Sequence, residues 1–184
     1  MKFEKTGIEG LTIITPDVFP DDRGFFFESF NKQKFLFGGI DQIFIQDNIS
    51  KSKKGTIRGL HYQIGNSAQG KLCSVVLGKV LDVAVDIRFG SPSFGKYFSI
   101  ELDDVDKKLF WIPPGFAHGF SVLSEEAIFS YKCTNLYDKA SERSIIYNDS
   151  ELNIDWKIDD PVLSPKDLIA PKFSEIEKDF LYSK

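Results

Sequence analysis

From about residue 12 to residue 131 the chain reads as short stretches of alternating or wholly apolar residues, prominent in Phe, Ile, Val and Tyr and separated by turn-forming residues. A period of two places every second side chain on the same face, so stretches of this kind fold as strands against a core. The clearest pair is 72–77 and 80–87, joined through Gly78-Lys79, where glycine supplies the positive φ of a tight hairpin. In LDVAVDI the alternation predicts Leu81, Val83, Val85 and Ile87 on a core face, with Asp82, Ala84 and Asp86 on a largely polar one. Further strands are expected at 25–30, 43–49, 57–62, 97–102, 109–112, 117–122 and 127–131, a spacing that suits an all-β sandwich or jelly roll. Helix is scarce: 32–36 can make a turn or two. Beyond Asn153, three prolines (Pro161, Pro165, Pro171) restrict the chain to short helices and loops, with 174–180 the best helix.

No repeat, low-complexity tract or linker interrupts this pattern, so residues 1–184 are expected to form one domain with its own core. Glu4 and Glu9 break the stretch that a secretory signal would need, and later apolar runs stop well short of a membrane span. A soluble, cytoplasmic protein without membrane contact is expected. A net charge of −4 argues against a broad nucleic-acid face, which needs a basic stripe to displace phosphate counterions. Cys73 and Cys133 fall inside strand-like segments, where free cysteine acts as a small buried hydrophobe rather than a disulfide partner.

Only four of the 23 basic residues are arginine: Arg23, Arg58, Arg88 and Arg143. Each is a candidate either for a structural salt bridge or for bidentate binding of phosphate or carboxylate by its planar fork. The two histidines, His61 in RGLHYQ and His118 in PPGFAHGF, follow glycine-containing turns at strand edges. Either could be structural, but both lie among Arg, Gln, Gly and aromatic residues, and together they favour a functional role. Residues 113–118 fit P-x-G-x-x-H, which looks like the second motif of the cupin superfamily of β-barrels. Many cupins hold a metal through three histidines and a carboxylate. Here there are two, and Gln63 stands where the second His of an H-x-H pair would be, so no metal is expected.

Taken in order, FPDDRGFFFESF, FIQDNISKSKKGTIRGLHYQ, QGKL, VLDVAVDIRFGSPSFGKY, LFWIPPGFAHGFSVLSE, IDW and PVLSPKDLIAP resemble the dTDP-4-dehydrorhamnose 3,5-epimerases over about residues 10–171. The resemblance implies a cupin-type jelly-roll barrel with short C-terminal helices. It also implies a homodimer that needs no cofactor and inverts C3 and C5 of dTDP-4-dehydro-6-deoxyglucose, on the way to rhamnose for lipopolysaccharide or other cell-surface polysaccharide. The partner it implies is a nucleotide-diphosphate deoxysugar.

A carbon beside a ketone is acidic because its carbanion delocalises onto oxygen, so this chemistry needs a base, an acid on the opposite face and a cation for the enolate. By resemblance His61 is the base, oriented by Asp167, Tyr131 is the acid and Lys71 stabilises the enolate oxygen. Arg23, Glu28, Gln46, Asn48, Arg58, His118, Glu142 and Lys166 match the family's nucleotide and sugar contacts, and Tyr137 matches an aromatic that stacks on thymine. Arg88 and Arg143 are left as structural. Cys73-Ser74 departs from the bulkier or charged residues that often follow the Lys-Leu pair. Three other readings stay open: a single-centre epimerase or one acting on a related nucleotide sugar, a non-catalytic sugar-nucleotide binder, and a metal-dependent cupin oxygenase.

Overall fold

The computed structural model describes residues 1–183. Strands β1 (Lys2–Lys5), β2 (Thr12–Thr15), β3 (Val18–Asp21) and β4 (Gly24–Phe27) precede helix α1 (Lys32–Phe37), whose N-terminal amides are capped by Asn31. There follow β5 (Gln46–Lys53), β6 (Ile57–Gln63), β7 (Lys71–Leu77), β8 (Lys79–Asp86), β9 (Tyr97–Asp103), β10 (Leu109–Ile112), β11 (Phe116–Val122), β12 (Glu126–Cys133), β13 (Glu142–Ser144) and helix α2 (Pro165–Leu168). One sheet runs β1-β2-β10-β7-β12-β5 and a second β13-β6-β11-β8-β9, while β3 and β4 pair only with each other. The interior between the two main sheets is filled from both: Cys73, Val75, Phe110 and Phe129 meet Val80, Ala84, Leu102 and Phe120. This is the all-β jelly roll that the strand spacing predicts. No helix among the described residues is long and apolar enough to cross a membrane.

Four local expectations are corrected. Residues 72–77 and 80–87 do not form a hairpin. β7 pairs with β10 and β12, β8 with β9 and β11, and Gly78 (φ +81°) carries the chain from one sheet to the other. The Gly78 amide is taken by Asp104 and the Lys79 amide by Ser124, so the turn is held by side chains instead of a ladder.

β8 has no polar outer face. Asp82, Ala84 and Asp86 are all fully buried, because this central strand is covered on both sides. Its other face, Leu81, Val83, Val85 and Ile87, packs under Leu152, Trp156 and Phe173 from the C-terminal segment. Asp86 is satisfied by Arg88, Ser91 and Ser93, which gives Arg88 its structural role.

The strand expected at 43–49 starts at Gln46, since Phe44 turns inward onto Phe30 and Trp111. Residues 174–180 are not a helix: one 3-10 turn, Phe173–Glu175, gives way to extended backbone at Ile176. Phe173, Ile176 and Phe180 all reach the second core, and the backbone bonds to Phe89 through Phe180 and Tyr182. Burying three apolar side chains along an extended path outweighs the weak intrinsic stability of a helix this short.

The strands that carry the two histidines touch without side chains between them. A Cβ on Gly59 would lie 2.5 Å from the Gly119 Cα, so only glycine lets β6 and β11 approach this closely. His61 and His118 are cross-strand partners at this place.

Candidate active site

A cavity of about 500 Å³ opens between the two main sheets, lined among others by Arg58, His61, Lys71, His118, Tyr131 and Asp167. A smaller one of about 160 Å³ shares His61, Lys71 and Tyr131 and adds Gln46, Asn48, Tyr137 and Glu142. The two therefore meet at the same three side chains. His61 and His118 come from the five-stranded sheet, Lys71 and Tyr131 from the six-stranded one.

His61 Nε2 lies 2.6 Å from Asp167 Oδ1, across 106 residues of sequence. Ser164, the N-cap of α2, donates its hydroxyl to Asp167 Oδ2 at 2.8 Å, so the carboxylate is itself fixed. Burial works to raise the Asp167 carboxyl, but the bonds from His61 and Ser164 outweigh it and hold the group below the ordinary carboxylate range. With the neutral ring protonated on the nitrogen facing Asp167, the other nitrogen keeps its lone pair, and the ring is partly open to the cavity.

Lys71 Nζ donates to the His61 carbonyl at 3.4 Å. Burial pulls its ammonium below the ordinary lysine value, against the opposing pull of Cys133, Cys73 and Asp82. Tyr131, beside it on β12, is pushed up to about 12 chiefly by burial, so its phenol remains protonated through neutral pH. An imidazole on one wall and a protonated phenol on the other, with a lysine at hand, can take a proton from one face of a bound molecule and return it to the opposite face.

Around these the remaining contacts sort by cavity. Arg58 donates Nε to Ser52 Oγ at 3.0 Å and lines the larger one. In the smaller one Gln46 donates to Asn48 and accepts from the Tyr137 amide, while the Tyr137 hydroxyl donates to Glu142, which also pairs with Lys166. The Tyr137 ring is left exposed at the rim.

Arg23 and Glu28 are not brought to either cavity. Arg23 sits at the β3–β4 turn, paired with Asp21 and 90% exposed. Glu28 bonds Asn31 and Lys34.

Sequence reasoning missed Asp82, whose Oδ1 accepts from His118 Nε2 at 2.5 Å, because strand alternation assigned it to a polar outer face. It also missed Ser164. The S-x-x-D spacing that makes Ser164 a helix cap for Asp167 was legible in LSPKD. Cys73, Asp82 and His118 place a sulfur, an oxygen and a nitrogen within 4.8 Å of one another, the one grouping of metal-binding donors found among the described residues. It includes neither His61 nor Gln63.

The model of the family described as dTDP-4-dehydrorhamnose 3,5-epimerase matches residues 5–175. A dTDP-4-dehydrorhamnose 3,5-epimerase of Shigella flexneri is 51% identical over 178 residues, covering 96% of this chain and 98% of that protein. The crystal structure of a dTDP-6-deoxy-D-glucose-3,5-epimerase from Legionella pneumophila, in complex with dTDP-4-keto-L-rhamnose, superposes with a TM-score of 0.95. It is 49% identical and covers 100% of this chain and 99% of that one. The epimerase structure from Elizabethkingia anophelis has a TM-score of 0.91 at 52% identity, covering 98% of this chain and 99% of that one.

Proposed function

The chain belongs to the dTDP-4-dehydrorhamnose 3,5-epimerase family, whose structures share its cupin-type jelly roll, and from that premise we propose that it inverts C3 and C5 of dTDP-4-dehydro-6-deoxy-D-glucose. The product is dTDP-4-dehydro-L-rhamnose. The observation that carries this reading is the placement of His61 and Tyr131 on facing sheets around one cavity, with Lys71 reaching both compartments.

The C4 ketone acidifies the hydrogens on C3 and C5. His61, held by Asp167, removes one of them, and the negative charge moves onto the C4 oxygen, where Lys71 stabilises it. Tyr131 then delivers a proton to the opposite face. Each cycle breaks and remakes one C–H bond with no change of oxidation state, so the sequence of steps requires no electron carrier. Tyr137 stacks on the base, with Gln46, Asn48 and Glu142 along the nucleotide, and Arg58, His118 and Lys166 on the phosphates and sugar.

The decisive experiment follows the C3 and C5 proton signals of dTDP-4-dehydro-6-deoxy-D-glucose by NMR in D₂O with chelator-treated protein. Both signals should disappear as deuterium enters. Loss of one alone would make the protein a single-centre epimerase, and loss of neither would overturn an epimerase reading.

The active form is a homodimer of single-domain, cytoplasmic subunits that supply rhamnose for cell-surface polysaccharide. The dimer is supported by the β3–β4 hairpin, where Phe19, Phe25 and Phe26 are 56–66% exposed on a ribbon that pairs with no other strand. An apolar patch of this kind marks an association surface, and a second copy seated on it would also give Arg23 a cavity to enter. Phe26→Ser should shift light-scattering mass from dimer towards monomer. A variant that stays fully dimeric at dilute concentration would remove the hairpin from the interface.

A further inference from the structure

Behind His118 lie two buried groups that the proton transfers do not use. Cys73 on β7 and Asp82 on β8 come from opposite sheets and converge on one atom, His118 Nε2, with Cys73 Sγ at 3.7 Å and Asp82 Oδ1 at 2.5 Å. All three residues are buried, Cys73 and Asp82 completely. An independent observation points to a missing partner: Asp82 Oδ2 is buried and makes no hydrogen bond. Buried acceptors are nearly always satisfied, because leaving one bare forfeits its hydration without return.

Sulfur, nitrogen and oxygen donors in one cluster suit a borderline-soft divalent ion, and three protein ligands with a fourth position open is a common zinc arrangement. We propose that Cys73, Asp82 and His118 form a binding site for a divalent cation of the zinc class, and that its occupation inhibits the enzyme by replacing the His118–Asp82 hydrogen bond with a metal bond and so changing which nitrogen of His118 carries the proton. The three donor atoms all lie within 4.8 Å of one another. Tetrahedral zinc sets such ligand atoms about 3.3–3.6 Å apart, so the sulfur and nitrogen are already in place. The carboxylate must retreat by less than about 1 Å, or turn to present Oδ2.

Binding exchanges protons for metal. The Cys73 thiol releases its proton to solvent, and the imidazole proton moves from Nε2 to Nδ1, which frees Nε2 as a ligand. Thiolate and carboxylate together cancel the charge of the ion, so the buried cluster becomes neutral. Harder cations such as magnesium, which demand six oxygen ligands, find no such set here. Lys71, two residues from Cys73 on the same strand face, is the nearby cation with which the metal competes.

Metal binding stands on this geometry alone; only the inhibition rests on the function proposed above. The test titrates the full-length, chelator-treated protein with Co²⁺. A thiolate-to-cobalt charge-transfer band in the near ultraviolet and the strong visible bands of four-coordinate cobalt should saturate at one equivalent and vanish when Zn²⁺ is added. Cys73→Val, which keeps the volume but removes the thiolate, should abolish the charge-transfer band. It should weaken binding by more than the roughly tenfold to hundredfold that loss of an outer-shell partner costs. Asp82→Asn should weaken binding while retaining the band, and Cys133→Ala should leave both unchanged.

Absence of the band at one equivalent, or its survival in Cys73→Val, would overturn the site. One equivalent of Zn²⁺ should also stop deuterium exchange in the unsubstituted protein and spare Cys73→Val. A bound metal that leaves exchange intact would overturn the inhibition, and a protein without epimerase activity would still give the cobalt spectrum.

Discussion

Replacing His61 by asparagine lowers kcat by about three to four orders of magnitude, the upper range for removing a positioned general base, while dTDP binding measured by calorimetry stays within about twofold. Asparagine has no basic nitrogen, and its amide ends near the Nδ1 position, short of the Nε2 atom that Asp167 holds. His61 borders both compartments and Asp167 the larger one, while the groups assigned to the nucleotide, Gln46, Asn48, Tyr137 and Glu142, line only the smaller one. Chemistry and affinity should therefore separate cleanly. Deuterium exchange at either carbon continuing at close to the normal rate would show that another group takes the proton. A large loss of dTDP affinity would instead make His61 a binding residue.

Lys71→Met produces the second large effect, a fall in kcat of about a hundredfold to a thousandfold with KM little changed, the size expected when an oxyanion loses its main stabilising group. The charge on the substrate oxygen develops only after the proton leaves, so a cation placed for it contributes to the transition state and hardly to the Michaelis complex. Methionine reproduces most of the stem between the strands. Since burial already disfavours the Lys71 ammonium, removing the charge should leave thermal stability unchanged or raise it. Activity within about threefold of normal would rule out the enolate role. Unfolding of the variant would mark Lys71 as structural.

The strand-rich architecture could be read from local alternation because each strand carries its own period, and β6, β10 and β11 fall close to where that period puts them. Pairing could not be read so simply. A Gly-Lys turn serves equally for a hairpin and for a step between sheets, and what decides is the side chains of Asp104 and Ser124, which lie more than twenty residues away.

The same limit applies to the site. Strand alternation makes an aspartate in LDVAVDI a surface residue because the apolar face claims the core; here the facing sheet covers the Asp82 side, while Leu152, Trp156 and Phe173 from the far end of the chain cover the apolar side. His61 and His118 could be singled out from their local surroundings, but Asp167 could be linked to His61 only by resemblance, because no periodicity connects residues 106 apart. Arg23 and Glu28 were named by the same route and lie away from the cavity of their own chain.

That long bridge also makes the far end of the chain part of the reaction centre. His61, Lys71 and Tyr131 stand between the two sheets, but the groups that fix the imidazole, Asp167 and behind it Ser164, come from the C-terminal segment. A chain cut before Ser164 should therefore lose turnover even where the barrel persists, so turnover reports on an intact C-terminal segment.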